Sequence, residues 1–199
     1  NALTIFGVCL GLSSIKFALD TNYAMSVIAI GFAAILDTLD GRVARLIKGT
    51  SKVGKELDSL TDVISFGVAP GFIMYFWALN EIGKFGWMFV LIYTVCCALR
   101  LARFNLTTIE ENESWKINFF EGVPSPAGAG LVLLPLILSL SGLVQFENFV
   151  ILSSITILIT SILMVSKLPT YSLKRILIPR HLTIFLLLGI GIYVSLLIF

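Results

Sequence analysis

The sequence predicts an all-α membrane protein, a polytopic bundle of about seven hydrophobic helices. Of its 199 residues, 57% are hydrophobic and only 13% are charged, and the mean hydropathy is +0.98. A soluble domain would leave too much of this apolar surface in water. The apolar residues also fall in runs close to the roughly 20 residues that a helix needs to cross a bilayer. We therefore expect an integral membrane protein that forms one domain over residues 1–199.

The predicted spans follow one another with mostly short connections. They are Ala2–Leu19, Tyr23–Arg45, Asp58–Leu79, Trp87–Phe104, Pro126–Leu143, Phe149–Val165 and His181–Phe199. Two connections are longer. Residues 107–123 are polar, and the basic stretch 166–180 has apolar residues at helical spacing, which favours an interfacial helix over a plain loop. Because the chain ends in an apolar run, we expect truncated termini and an eighth span in the intact protein.

The distribution of basic residues predicts the orientation of the bundle. Twelve of the 14 lysines and arginines flank the second, fourth and sixth connections, and only Lys16 and Lys84 lie near the other side. Cytoplasmic connections carry the excess of basic residues. This side is therefore predicted to be cytoplasmic, in the cell (inner) membrane.

Four of the five aspartates lie together, at Asp37, Asp40, Asp58 and Asp62. Spacings of three and four residues place the members of each pair on one helix face. Carboxylates at membrane depth are costly unless they are paired, solvated or bound to a cation. Because oxygen ligands suit hard divalent cations, the four carboxylates are predicted to bind magnesium, manganese or calcium.

Small and basic residues lie among these carboxylates. Gly41, Ala44 and Gly54 would let a phosphate approach the backbone, and Arg45 offers a planar guanidinium group to its oxygens. The combination is typical of a diphosphate site. The alternative is a set of salt bridges at the helix ends, between Asp37 or Asp40 and Arg42 or Arg45, and between Asp58 and Lys55. Salt bridges would not require small residues at these positions.

The pattern resembles the signature of the CDP-alcohol phosphatidyltransferase family, DxxDGxxAR, eight residues, then GxxxDxxxD, and every fixed position from Asp37 to Asp62 is filled. The resemblance implies a six-helix catalytic core whose site opens to the cytoplasm. It also implies that two divalent cations, magnesium or manganese, are bound by Asp37, Asp40, Asp58 and Asp62. In that family the fourth aspartate binds metal or acts as base, so Asp62 would also deprotonate the acceptor hydroxyl.

The same resemblance assigns a nucleotide and diphosphate pocket. Its residues would be Gly41, Ala44, Arg45 and Gly54, with Asn1 and Thr4 at the cytoplasmic end of the first span. For Asn1, a helix cap is the alternative.

Three further stretches bear on the acceptor alcohol. They are SFGVAP (65–70), LRLARFN (99–105) and FEGVPSPA (120–127). Together they resemble the membrane-embedded phosphatidylserine synthases of the family. Serine carries a carboxylate that Arg100 and Arg103 could bind, although both could instead reach lipid headgroups at the membrane surface. Asn105 and Ser125 are the other acceptor-binding candidates, and helix capping and turn formation are their alternatives.

The resemblance thus implies an enzyme that transfers the phosphatidyl group of CDP-diacylglycerol to L-serine by in-line displacement, releasing CMP. The expected partners are these two substrates, membrane lipid and a second copy of the chain in a homodimer, with no nucleic acid. The nearest alternatives use glycerol 3-phosphate or an inositol phosphate as acceptor. A cation or proton transporter is a remote alternative, because it would need acidic residues near the midplane and repeated halves.

Overall fold

The computed structural model of the chain describes residues 2–47, 52–110, 119–142, 148–166 and 169–171. The α-helices are α1 (Ala2–Leu19), α2 (Tyr23–Ile47), α3 (Lys52–Asp62), α4 (Ala69–Trp77), α5 (Lys84–Glu110), α6 (Ser125–Ser141) and α7 (Phe149–Val165). A π-helix, Val63–Val68, joins α3 directly to α4, and a 3-10 turn, Leu79–Ile82, precedes α5. Strands β1 (Phe119–Glu121) and β2 (Pro169–Tyr171) pair antiparallel.

The prediction of an all-α membrane bundle is confirmed. Because α3, the π-helix and α4 are continuous, the described part contains six helical rods. Three segments are long and apolar enough to cross a membrane, namely Tyr23–Gly41, Glu56–Trp77 and Lys84–Asn105. The helices α1, α6 and α7 are apolar but shorter. The predicted seventh span, His181–Phe199, lies outside the described residues.

Several helix ends differ from the prediction. The helix α3 begins at Lys52 rather than near Asp58, and α5 continues to Glu110 rather than ending near Phe104. Polar residues can extend a helix beyond the apolar run, because water or headgroups solvate their side chains at the membrane surface. The interfacial helix predicted over 166–180 is wrong at Pro169–Tyr171, where pairing with β1 satisfies the backbone; residues 167–168 and 172–180 lie outside the described part.

Apolar side chains occupy both the interior and the outside of the bundle. Among the largest fully buried ones are Phe66, Ile73, Met74, Tyr93, Leu133, Leu136, Ile157 and Met164. On the outside, Leu60, Phe85 and Ile162 are each more than 60% exposed. An apolar outer surface of this kind is expected to face lipid rather than water.

The helices α1 and α2 form a hairpin whose interface contains small polar residues. Ser26 Oγ donates a hydrogen bond to the carbonyl oxygen of Ser14 at 2.8 Å, and Ser14 Oγ donates to that of Gly11 at 2.6 Å. Both serine side chains are fully buried. Small residues allow close helix packing in membranes, and their hydroxyls bond to backbone carbonyls that water cannot reach.

Aromatic residues gather at the end of the bundle away from the aspartates. The ring of Trp87 at the start of α5 lies 5.4 Å from Tyr75 and 5.5 Å from Phe72 of α4, centroid to centroid. Tyr23 at the start of α2 donates to the carbonyl oxygen of Phe76 at 3.2 Å. Such residues are enriched where a span meets the membrane surface. This end is therefore expected to lie at the interface opposite the aspartates.

At the aspartate end, the turn after β1 packs on the last residues of α7. Gly122 has φ +78°, and a Cβ atom there would lie 2.8 Å from the carbonyl oxygen of Met164. Only glycine adopts this conformation routinely and also allows such close contact. The turn therefore fixes where α6 begins.

Replacing Gly122 with Ala should lower the thermal unfolding midpoint in detergent. The left-handed backbone costs a side chain about 1–2 kcal/mol, and the close contact with Met164 adds about 1–3 kcal/mol. The control is Gly130→Ala in α6, where an added Cβ meets nothing within 4 Å. That variant should keep or slightly raise the midpoint, because alanine favours helix. Equal midpoints for the two variants would contradict the described turn.

Candidate functional site

The four aspartates lie where α2 and α3 approach each other. Asp37 and Asp40 lie in the C-terminal half of α2, and Asp58 and Asp62 lie in α3. Asp37, Asp40 and Asp58 line a narrow cleft, together with residues of α1, α2, α3 and the π-helix that include Thr4, Gly7 and Ser65. The space inside it that the centre of a water-sized group can occupy is about 10 Å³, which is about what one water molecule needs. The cleft as it stands therefore has room for one small group, such as a water molecule or a bare ion.

The carboxyl groups are close to one another and partly buried. Those of Asp37 and Asp62 lie within hydrogen-bonding range of each other, and Asp37 is also within electrostatic range of Asp40 and Asp58. The Oδ1 atom of Asp62 is buried and has no hydrogen-bond partner in the described part of the chain. Carboxylates so close together cannot all stay charged unless a cation or a shared proton offsets their repulsion. The donor chemistry and the orphaned oxygen thus fit a divalent cation.

The structure limits how such a cation can bind. Within the described residues, no three His, Cys, Asp or Glu side chains are placed to hold one metal ion together. Joint coordination therefore requires the aspartate side chains to rotate from their present positions. As for the alternative of salt bridges, none of the four aspartates forms an ion pair within the described part. The side chains of Arg42, Arg45 and Lys55 lie outside it.

Two polar contacts hold the site from neighbouring helices. The hydroxyl of Thr4, which is buried in α1, donates to Oδ2 of Asp40. Asn105 Nδ2 of α5 donates to Ser59 Oγ at 2.9 Å, next to Asp58 on α3. Thr4 and Asn105 therefore bind protein groups of the site in this structure. Ser59 was not predicted, although its position within the aspartate pattern of α3 was a signal.

Arg100 reaches toward the same place from α5. Its Nη1 atom donates to Oγ of Ser125 at 2.7 Å, and its guanidinium group lies within electrostatic range of Asp62. The Nε atom of Arg100 is buried without a hydrogen-bond partner in the described residues. Ser125 is fully buried as the first residue of α6. Arg100 therefore has a buried donor available for an anionic group near Asp62.

Arg103 is placed differently, although it lies only one helical turn further along α5. Its Nη1 atom donates to the carbonyl oxygen of Val165 at 2.9 Å, at the end of α7. A cation at a helix C-terminus stabilises the unpaired carbonyl groups there. The two arginines that were predicted together thus make different contacts, and Arg100 is the one near the aspartates.

The structure places the predicted nucleotide residues only in part. Gly41 and Gly54 lie in α2 and α3, close in sequence to the aspartates. Ala44 and Arg45 belong to α2, but their side chains lie outside the described part, as does Asn1. Their contact with a nucleotide stays a prediction.

Comparison with known proteins agrees with this arrangement. A sequence model of the CDP-alcohol phosphatidyltransferase family matches residues 1–166. A protein of Mycobacterium leprae named CDP-diacylglycerol–serine O-phosphatidyltransferase is 38% identical over 182 residues, which are 91% of this chain and 60% of that protein.

Proteins of the same name give similar matches in other organisms. The one from Helicobacter pylori strain 26695 is 44% identical over 69% of this chain and 56% of its own length. The one from Bacillus subtilis is 38% identical over 66% of this chain and 72% of its own length. The chain thus spans less than two thirds of the mycobacterial and Helicobacter relatives.

Proposed function

The chain belongs to the CDP-alcohol phosphatidyltransferase family, and we propose that it transfers the phosphatidyl group of CDP-diacylglycerol to L-serine. The products are phosphatidylserine and CMP. One observation carries the proposal: three carboxylates line a cleft next to Asp62, and the buried Nε of Arg100, which has no hydrogen-bond partner among the described residues, lies within electrostatic range of Asp62. The names of the similar proteins support serine as the acceptor.

Members of this family generally depend on divalent cations. We propose two, magnesium or manganese, held by Asp37, Asp40, Asp58 and Asp62. When bound, they would neutralise the diphosphate and make its phosphorus more electrophilic. The orphaned Oδ1 of Asp62 and the crowding of carboxylates beside Asp37 support this proposal.

The residues of the chain supply the proton transfer. Asp62 is proposed to accept the proton of the serine hydroxyl, which then attacks the phosphorus next to diacylglycerol. The new bond joins the serine oxygen to that phosphorus, and the bond to the CMP oxygen breaks in line with it. No covalent intermediate on the protein is needed.

Arg100 is proposed to orient the acceptor. The guanidinium group can donate from Nε to the carboxylate of serine while Nη1 keeps its bond to Ser125. This geometry would hold the serine hydroxyl near Asp62. Arg103 is proposed to be structural, because its described bond is to the end of α7.

The remaining assignments are also proposals. Gly41, Ala44, Arg45 and Gly54 would contact the diphosphate and the nucleotide, since they lie among the aspartates in sequence. The protein is an integral membrane protein, and the basic residues around the site support a cytoplasmic opening in the cell membrane. A homodimer is expected from the family resemblance, and light scattering in detergent would test it.

CMP release from CDP-diacylglycerol with a panel of acceptors tests the proposal. L-Serine should support release, whereas glycerol 3-phosphate and inositol phosphate should be poor, because a phosphate dianion needs more than one available cation. Faster release with glycerol 3-phosphate than with serine would contradict serine as the acceptor and leave the family unchanged.

The same assay separates the two arginines. Arg100→Gln should raise the KM for serine roughly 10- to 100-fold, the cost of losing a hydrogen bond to a charged group. The KM for CDP-diacylglycerol should change little. Arg103→Gln is the matched control and should lower thermal stability rather than change the serine requirement. A raised KM for serine in Arg103→Gln, together with an unchanged one in Arg100→Gln, would mean that Arg103 binds the acceptor carboxylate.

A further inference from the structure

The π-helix Val63–Val68 follows Asp62 directly. Pro70 explains why the π-helix forms at this place. In an α-helix, the carbonyl group of Phe66 would accept a hydrogen bond from the backbone nitrogen four residues later. That residue is Pro70, which has no N–H and whose ring would clash with this carbonyl group. The chain instead forms a wider turn over Val63–Val68, and the N–H of Ala69 bonds to the carbonyl oxygen of Ile64.

The carbonyl group of Phe66 finds its partner on another helix. The hydroxyl of Tyr93 in α5 donates to it at 2.6 Å, and the Tyr93 side chain is fully buried. Thr94 makes a longer contact, at 3.5 Å, with the carbonyl oxygen of Gly67. A buried carbonyl group without a partner would be costly, so Tyr93 compensates for the donor that Pro70 lacks.

Close packing holds the π-helix from both sides. On the side of α1, Ser65 Oγ donates to the carbonyl oxygen of Gly7 at 3.3 Å, and a Cβ added to Gly11 would lie 2.6 Å from that Ser65 Oγ. On the side of α5, a Cβ added to Gly67 would lie 3.1 Å from Sγ of Cys97. The π-helix is therefore in close contact with both α1 and α5.

Tyr93 shares one face of α5 with the acceptor-binding candidate. Tyr93, Cys97 and Arg100 are spaced by four and three residues, which places them on the same side of the helix. On this face, Tyr93 contacts the carbonyl group of Phe66, and Arg100, about two turns further along α5, contacts Ser125. Any rotation of the π-helix against α5 would therefore also move Asp62 relative to Arg100.

We propose that Tyr93 is a positioning residue, whose hydroxyl holds the π-helix and thereby sets the direction of Asp62. The inference rests on the proposed function for its kinetic readout. Each residue of an α-helix turns the chain by about 100°. One extra residue in the π-helix therefore rotates α3 by about this angle relative to α4. The π-helix thus determines which side of α3 presents Asp58 and Asp62 to Asp37.

Tyr93→Phe removes only the hydroxyl. We expect kcat to fall roughly 10- to 100-fold, the effect of misplacing a catalytic group by about 1 Å. The KM for CDP-diacylglycerol should change less than kcat, because Asp37 and Asp40 of α2 keep their positions. The matched control is Ser26→Ala, which also removes a buried hydroxyl bond to a carbonyl group, but between α1 and α2. It should lower stability and leave kcat unchanged.

A double variant distinguishes positioning from stabilisation. In Tyr93→Phe with Pro70→Ala, residue 70 regains an N–H that can bond to the carbonyl group of Phe66 as in an α-helix. We expect thermal stability to recover while kcat stays low, because the π-helix is lost. Recovery of both would overturn the proposal, and so would a wild-type kcat in Tyr93→Phe. The double variant keeps the carbonyl group paired if the single variant fails to fold.

Amide hydrogen exchange gives a readout that does not depend on activity. The peptide covering Val63–Gly71 should exchange faster in Tyr93→Phe than in the wild type, and at the wild-type rate in Ser26→Ala. If the wild type released no CMP with any acceptor, the proposed function would fall, while the exchange rates would still decide whether Tyr93 holds the π-helix. An unchanged exchange rate of this peptide in Tyr93→Phe would overturn the inference that Tyr93 holds the π-helix.

Discussion

Replacing Asp62 with Asn should lower phosphatidyl transfer to serine by roughly 10²- to 10⁴-fold, the usual contribution of a general base. Asparagine keeps the size of the side chain and one oxygen, but it cannot accept the proton of the serine hydroxyl. Removing one negative charge also relieves the repulsion with Asp37. The variant is therefore expected to fold and to bind CDP-diacylglycerol.

Two measurements check this expectation. Single-turnover CMP release reports the chemical step, and equilibrium binding of CDP-diacylglycerol with magnesium reports the intact pocket. Asp20→Asn is the control, because Asp20 is an exposed aspartate at the far end of the bundle, paired with Lys16 at 2.5 Å. It should release CMP at the wild-type rate. Near-normal transfer by Asp62→Asn would mean that another group, or water, takes the proton.

Removing divalent cations should abolish turnover, and magnesium or manganese should restore it. Without the cations, the diphosphate would meet the three carboxylates that line the cleft, with Asp62 next to them, and the repulsion would prevent productive binding. Asp37→Asn, Asp40→Asn and Asp58→Asn should each lose most activity, since each removes an anionic oxygen donor.

Manganese binding, followed by the electron paramagnetic resonance of the free ion, provides a second readout. The wild type should take up manganese, and Asp58→Asn should bind it more weakly. Glu81→Gln changes a carboxylate in the 3-10 turn at the opposite end and should bind like the wild type. Full turnover in the presence of chelator would rule out the metal-dependent mechanism.

The helices and the clustering of the four aspartates could be predicted from the sequence, because both depend on local patterns. Apolar runs give the spans, and the spacing of Asp37 to Asp62 gives the shared helix faces. The start of α3 was missed because the segment before Asp58 is polar and lacks the hydropathy of a span. Its helical structure depends on amphipathic packing, which a count of apolar residues does not detect.

The different contacts of Arg100 and Arg103 could not be predicted. Residues three apart on a helix share a face, so the spacing predicts a common site. Which neighbour each guanidinium group reaches depends on where α6 begins and where α7 ends relative to α5. These positions are set by the tertiary structure. The π-helix did leave a signal in the sequence, because Pro70 removes a donor from the middle of a span. Its partner, Tyr93, lies on another helix, and no local pattern connects the two.

The pairing of Arg100 with Ser125 has a consequence for biogenesis. The aspartates of α2 and α3 emerge from the ribosome well before α6 does. Ser125 follows Asp62 by 63 residues, which takes roughly 3–13 s at synthesis rates of about 5–20 residues per second. During that interval the four clustered aspartates are present, but the proposed acceptor pocket is incomplete. Their carboxylates have to be solvated, protonated or bound to cations in the meantime, because an uncompensated charge at membrane depth is costly.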